Sequence, residues 1–218
     1  MITFDYALLE SEPFLSIQDA PELDLVAGQQ IEQAGKELRA GGIQDVPILM
    51  TSAYAGGVVE AFPARIRWKK AALSNPLHKY TAGALGVLTV FQNDEDELLW
   101  ARNKLNPDFD DFWSLSVGSS LDSEHRTFRE IAEGINEDRL GIDSSFYTLQ
   151  PAAFLHCEQT ADTLVVYLAR IEPDAVLKPG DRIEDLLWAD TSRPPSQSLA
   201  ISHCVQHCIE EIRGSIEW

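Results

Sequence analysis

Basic side chains are scarce in this chain of 218 residues: 17 lysines and arginines stand against 35 aspartates and glutamates, a formal charge of −18. That imbalance repels phosphate backbones and anionic lipid, so general nucleic-acid binding and adsorption to acidic membranes are excluded as primary roles. Cysteine is also sparse. Cys157, Cys204 and Cys208 are too few and too unevenly spaced for a disulfide framework, and they read as buried thiols in a reducing, cytoplasmic setting. No run approaches about 18 consecutive apolar residues, and the opening residues Met1 to Asp5 lack a basic, cleavable leader, so neither a membrane span nor export is expected. No period of roughly 20–50 residues recurs, which excludes solenoids and propellers. The Gly-x-Ser-x-Gly elbow, the Gly-Lys-Ser phosphate loop and the Gly-x-Gly-x-x-Gly turn are absent as well.

What remains is an ordinary globular composition, 44% apolar and 24% charged. Leu23, Val26, Ile31, Ala34 and Leu38 fall near helical spacing between Pro21 and Ala40, and Gly41-Gly42 follows as a stop. Val46 to Thr51 and Val58 to Phe62 read as strands joined at Gly56-Gly57. Next comes the one dense basic segment, where Arg65, Arg67 and Lys69 sit two apart. An extended chain would project all three from one face, either as cations on an exposed edge strand or as a phosphate-binding stripe. From Gly83 to Phe91 the chain reads as a buried strand. An acidic turn, Asn93 to Glu97, leads to a second strand, Leu98 to Arg102, and closes a hairpin.

Phe112 to Val117 is a further strand that ends at Gly118. After the turn Ser119 to Ser123, a charged, proline-free stretch from Glu124 to Arg139 carries Phe128, Ile131 and Ile135 at the spacing of one buried helical stripe. Ala153 to His156 and Thr163 to Ala169 are strands with Asp162 in the turn between them. Asp185 to Ala189 is a shorter strand, and Leu199 to Ile212 is a last helix beyond the break at Arg193-Pro194-Pro195. Strands interrupted by a few helices make a mixed α/β architecture.

The order of hairpin, Trp-bearing strand, glycine loop, glutamate-rich helix and later strands resembles the Nudix hydrolase family, whose box reads G-x5-E-x7-R-E-U-x-E-E-x-G-U with U aliphatic. Gly118 and Glu124 match the first spacing. The rest of the box is degenerate. Without a gap, R-E falls on Ala132-Glu133 and E-E on Asn136-Glu137. Deleting three residues recovers Arg129-Glu130 and puts E-E on Glu133-Gly134. A shift by one puts E-E on Glu137-Asp138 and R-E on Glu133-Gly134. No register keeps every carboxylate.

The resemblance implies a Nudix-like α/β/α sandwich with a mixed sheet over residues 82–218, preceded by an N-terminal α+β extension over 1–81 of the kind that contributes to a homodimer. It also implies a Mg²⁺ or Mn²⁺ ion held by carboxylates over a small diphosphate, such as a nucleoside diphosphate derivative, whose hydrolysis the metal assists. Glu130, Glu133 and Glu137 at i, i+3 and i+7 share a helix face. On the resemblance Glu133 and Glu137 are the expected catalytic ligands, Glu130 and Asp138 further metal ligands, and Gly118, Arg65, Arg67 and Trp113 substrate contacts. Phe154, Tyr167 and Trp188 are candidate pocket walls or core. Glu172, Asp174, Asp181 and Glu184 occupy the later loop from which the family draws another acid. The alternative is a catalytically impaired module of the same fold that senses a ligand or binds a protein. Separately, His203, Cys204, His207 and Cys208 have a helical spacing compatible with zinc, set against simple burial of the cysteines.

Overall fold

The computed structural model describes residues 4–75, 77, 80–103, 113–121, 127–190, 195, 198 and 200–212. The chain begins with two short strands, β1 (Phe4–Leu8) and β2 (Phe14–Ile17), and continues into helix α1 (Leu25–Ala40). Asp24 starts α1 by accepting the Ala27 N–H at 2.9 Å, and Ala27, Ile31, Ala34 and Leu38 form its buried stripe. β3 (Pro47–Ala55) and β4 (Val58–Arg65) make the expected hairpin, with Gly56 and Gly57 both at positive φ in its turn. Helix α2 (Ile66–Ser74) follows, then β5 (Gly83–Gln92), β6 (Leu98–Asn103), β7 (Trp113–Leu115) and β8 (Val117–Ser120). Helix α3 (Phe128–Leu140), β9 (Tyr147–Cys157), β10 (Asp162–Ile171), β11 (Ile183–Ala189) and helix α4 (Ala200–Ile212) complete the described elements, apart from one 3-10 turn at Ser144–Phe146.

The strands join one mixed sheet whose main path is β1-β9-β10-β5-β3-β4-β2, with β6, β7, β8 and β11 branching from it. Chain geometry forces this sheet to curl. Seven flat strands would put β1 and β2 about 29 Å apart at ~4.8 Å per step. The five residues between Leu8 and Phe14 reach at most about 21 Å. Tracing the parallel and antiparallel pairings along the path shows that β1 and β2 run in the same direction. Residues 4–17 therefore act as a bent strand that pairs first with β9 and then with β4, drawing the two ends of the path together. Tyr54 on β3 and Phe154 on β9 stack with centroids 4.4 Å apart although β5 and β10 lie between their strands, as side chains do inside a curl.

Alternation along the central strands sorts the core. Val165, Tyr167 and Ala169 of β10 face inward with Leu85, Val87 and Phe91 of β5, and α3 covers them through Phe128, Ala132 and Leu140. Leu164, Val166 and Leu168 face the other way, against Val205, Ile209 and Ile212 of α4. Farther along that outer face, Ile48, Met50 and Phe62 pack on Ala27, Ile31 and Ala34 of α1 and on Trp68 and Ala71 of α2. Helices thus lie on both faces of a mixed sheet, the expected α/β/α arrangement. Among the described residues no helix is long and apolar enough to cross a membrane.

Several expectations need correction. The basic segment is not an extended stripe: Arg65 ends β4, while Arg67 and Lys69 lie on α2, so a spacing of two no longer shares a face. Trp68 and Ala71 decide this by packing as one side of a helix. The β5–β6 hairpin pairs only at Gln92 and Leu98, after which β6 turns to β11 and β7. Asp162 is the first residue of β10 rather than part of the turn. All three cysteines are fully buried, but they are not three separate thiols. Cys157 on β9 faces α4 and is joined to Cys204, with Cα atoms 6.5 Å apart, and Cys208 alone stays free. Burial pushes the Cys208 thiol up to about 12.

Candidate functional site

Helix α3 begins with reciprocal capping. The Thr127 hydroxyl accepts the Glu130 N–H at 3.2 Å, while the Glu130 carboxylate accepts the Thr127 N–H at 2.9 Å and its hydroxyl at 3.0 Å. The helix ends at Gly141, in the left-handed region at φ 58°. Its last carbonyls are satisfied by the loop after β10, since Lys178 N–H donates to Leu140 O at 2.7 Å and Gly180 N–H donates to Arg139 O at 2.8 Å. A Cβ at Gly180 would lie 2.3 Å from Asp138 O, so this contact requires glycine. Phe128, Ala132, Asn136 and Leu140 recur every fourth residue and are fully buried, which fixes the face that α3 turns to the sheet.

Burial sets aside one of the three registers of the box and leaves two. The ungapped one puts the aliphatic position on Gly134, which is exposed. The one that starts at Arg129-Glu130 puts it on Ile131 and the one shifted by one puts it on Ile135, both half-buried and packed on the core. The E-E pair then falls on Glu133-Gly134 in the first and on Glu137-Asp138 in the second, and the individual acids are engaged or face water. Glu130 is folded back into the cap. Glu133 is half-buried with one oxygen 3.8 Å from Arg129 Nη1. Glu137 and Asp138 are exposed. Glu124 lies outside the described residues.

Arg129 gathers a group of partners that no motif had marked. Its guanidinium donates from Nη2 to Leu149 O at 2.9 Å, and its backbone N–H donates to Glu12 Oε1 at 3.0 Å. Glu12 comes from the link between β1 and β2. Its Oε2 is 3.7 Å from Arg129 Nε, and the Tyr167 hydroxyl donates to its Oε1. Burial, and next the bond to Glu12, holds the Tyr167 phenol well above its ordinary pKa. Farther along the helix Asn136 donates to the Tyr147 hydroxyl at 3.1 Å. Asn136 Oδ1 and Glu12 Oε2 are buried without a hydrogen-bond partner among the described residues.

Tyr167 belongs to this group, and the other expected contacts take different places in the fold. Gly118 on β8 is opposite Leu88 of β5, and an added Cβ there would meet Val87 O at 2.7 Å, so its missing side chain admits a neighbouring strand. Arg65 and Arg67 both turn to Asp45, with Nε to Oδ2 distances of 3.2 and 3.5 Å, and Lys69 pairs with Asp162 at 2.6 Å. Trp113 lies under the Arg102 guanidinium at 5.7 Å. Phe154 stacks on Tyr54, and Tyr167 is fully buried. Trp188 lines an open cleft of about 750 Å³ between the Asn93–Glu97 turn and the loop after β10, with Glu172, Val176 and Leu186 among its walls. Asp174, Asp181 and Glu184 are exposed, and Glu184 lies 3.5 Å from Arg102. On α4, Cys204 and Cys208 face the core, whereas His207 is exposed beside Glu210 at 3.5 Å.

Among the described residues no three His, Cys, Asp or Glu side chains converge as a metal site. Of the α3 acids expected to hold a divalent ion, Glu130 is held in a cap and Glu133 lies beside Arg129, whereas Glu137 and Asp138 face water.

No protein-family model matches the sequence, and no curated protein matches it. Solved structures do. The Nudix hydrolase RenU from M. smegmatis superposes with a TM-score of 0.50 at 14% identity, covering 62% of this chain and 88% of its own. The chain has the Nudix fold. A Deinococcus radiodurans structure also superposes with a TM-score of 0.50, at 18% identity, over 58% of this chain and 83% of that one. In the Nudix fold described here, α3 is the helix that carries the degenerate box, and it covers the inner face of the curl against β5 and β8.

Proposed function

We propose that this protein is a Nudix-fold module that binds a small diphosphate-type ligand and does not hydrolyse it efficiently with a metal ion. One observation carries the reading: two of the box's acids, Glu130 and Glu133, are already engaged within α3. Glu130 closes the helix start, Glu133 sits beside Arg129, and in the register that begins at Arg129-Glu130 the E-E pair is completed by Gly134 rather than by a carboxylate. An octahedral Mg²⁺ site needs carboxylates free to turn to one point, and a capped glutamate is not free. The ligand class follows from the fold, since RenU is a Nudix hydrolase. Residues 1–81 serve as an extension of the module at 82–218 and supply β1 to β4 to the same sheet.

The hydrolase reading rests on a different observation, the placement of Glu133 and Glu137 one turn apart on the same helix. A panel of nucleoside diphosphate derivatives with Mg²⁺ or Mn²⁺ separates the two. The binding reading expects no product above a protein-free control, together with a raised melting temperature for at least one compound. Turnover that falls a hundredfold in Glu133→Gln or Glu137→Gln would establish the hydrolase instead.

A further inference from the structure

We infer that the pocket holding the Glu12 carboxylate is an oxyanion site, and that the link between β1 and β2 closes it with a resident ligand from the same chain. The inference rests on the reading that α3 binds rather than hydrolyses, and it names where on α3 that binding occurs.

Two hydrogen-bond donors and an ion pair converge on the Glu12 carboxylate: the Arg129 backbone N–H at 3.0 Å, the Tyr167 hydroxyl, and the Arg129 guanidinium with Nε 3.7 Å from Oε2. Together they form the donor set of an anion pocket, a charged planar group, a phenol and an amide in the first turn of a helix. The pocket does not depend on Glu12 for its shape. Leu149 O and the Glu133 carboxylate orient the guanidinium from other sides, at 2.9 and 3.8 Å, and the Tyr167 ring is fixed by complete burial within β10. Such a preorganised pocket keeps its affinity for an oxyanion when the tethered one leaves.

The link is built to hold the carboxylate by its ends. Leu9 N–H donates to Ala152 O at 3.1 Å and Phe14 N–H donates to Gly57 O at 2.8 Å, while Glu10 and Ser11 between them are exposed. Glu12 is therefore an intramolecular competitor at high effective concentration, and an external carboxylate or phosphoryl group has to displace it. Glu133 on the far side of the guanidinium offsets part of the positive charge, so the site favours a small oxyanion and weakens as salt rises.

Calorimetry on the full chain in EDTA tests this with acetate and inorganic pyrophosphate as probes, so that no metal-dependent turnover enters the measurement. Glu12→Ala is expected to bind at least one probe tenfold or more tightly than wild type, and Arg129→Met added to it should abolish the gain. Which probe gains decides between a carboxylate and a phosphoryl ligand. A folded Glu12→Ala protein that binds neither probe better than wild type overturns the inference, as does a gain that survives Arg129→Met. If Glu12→Ala does not fold, Glu12→Gln keeps the side-chain bulk and removes the charge. It should gain at least threefold, and an unchanged affinity overturns the inference equally. Hydrolysis of nucleoside diphosphates with Mg²⁺ would refute the binding reading without touching this result, because the calorimetry contains no metal.

Discussion

Helices α3 and α4 are both 13 residues long and cover opposite faces of one sheet, yet different forces hold them. α4 is attached mainly through Val205, Ile209 and Ile212 and the Cys157–Cys204 link, with one polar tie in which the Leu115 N–H donates to the Ser202 hydroxyl at 2.9 Å. Its two His-Cys pairs look chemical in sequence, but both cysteines are absorbed into the core. α3 buries an apolar stripe too, but its position is also specified by polar ties: the Thr127–Glu130 cap, the Arg129–Glu12 pair and the Asn136–Tyr147 bond. On α3 the Glu130 carboxylate is spent on the cap and Glu133 lies beside Arg129, while Glu137 and Asp138 face water.

Breaking the apolar side should have the larger effect. Ile209 is 1% exposed, so Ile209→Ala should lower unfolding free energy in urea by about 2–5 kcal/mol through lost contact and a cavity. A loss well under 1 kcal/mol would mean that α4 is not held by packing. On the polar side, Thr127→Ala removes one half of the cap and should cost about 1 kcal/mol by the same measurement. An unchanged midpoint would show that Glu130 is not structurally engaged. The smallest effect runs the other way. Gly134 is exposed in the interior of α3, with nothing within 4 Å of an added Cβ, so Gly134→Ala should raise stability by about 0.5–1 kcal/mol. A loss of stability there would indicate a contact to that position.

Local signals carried much of this architecture into the sequence. Gly56-Gly57 marked the β3–β4 turn because two consecutive positive-φ residues are needed there, and the spacing of Leu23 to Leu38 marked α1. The curl was not legible, since it arises from β1 and β2 closing on strands more than 40 residues away in sequence, and neither short strand has a distinctive pattern. α2 was hidden because charges at alternate positions mimic an exposed strand, while the deciding contact, Trp68 against Phe62 at 5.2 Å, is tertiary. Of the candidate site, the helix and its degenerate box were visible. Glu12 was not, because a lone glutamate in a link gains its role only where the fold sets it against Arg129 and Tyr167.

On the proposed reading the acids of α3 do not hold a divalent cation. Titration of the full chain with Mn²⁺ by calorimetry tests it most directly, and the account predicts only weak, non-stoichiometric binding with no site tighter than about 1 mM. A single stoichiometric Mn²⁺ site whose affinity falls tenfold or more in Glu133→Gln would contradict it.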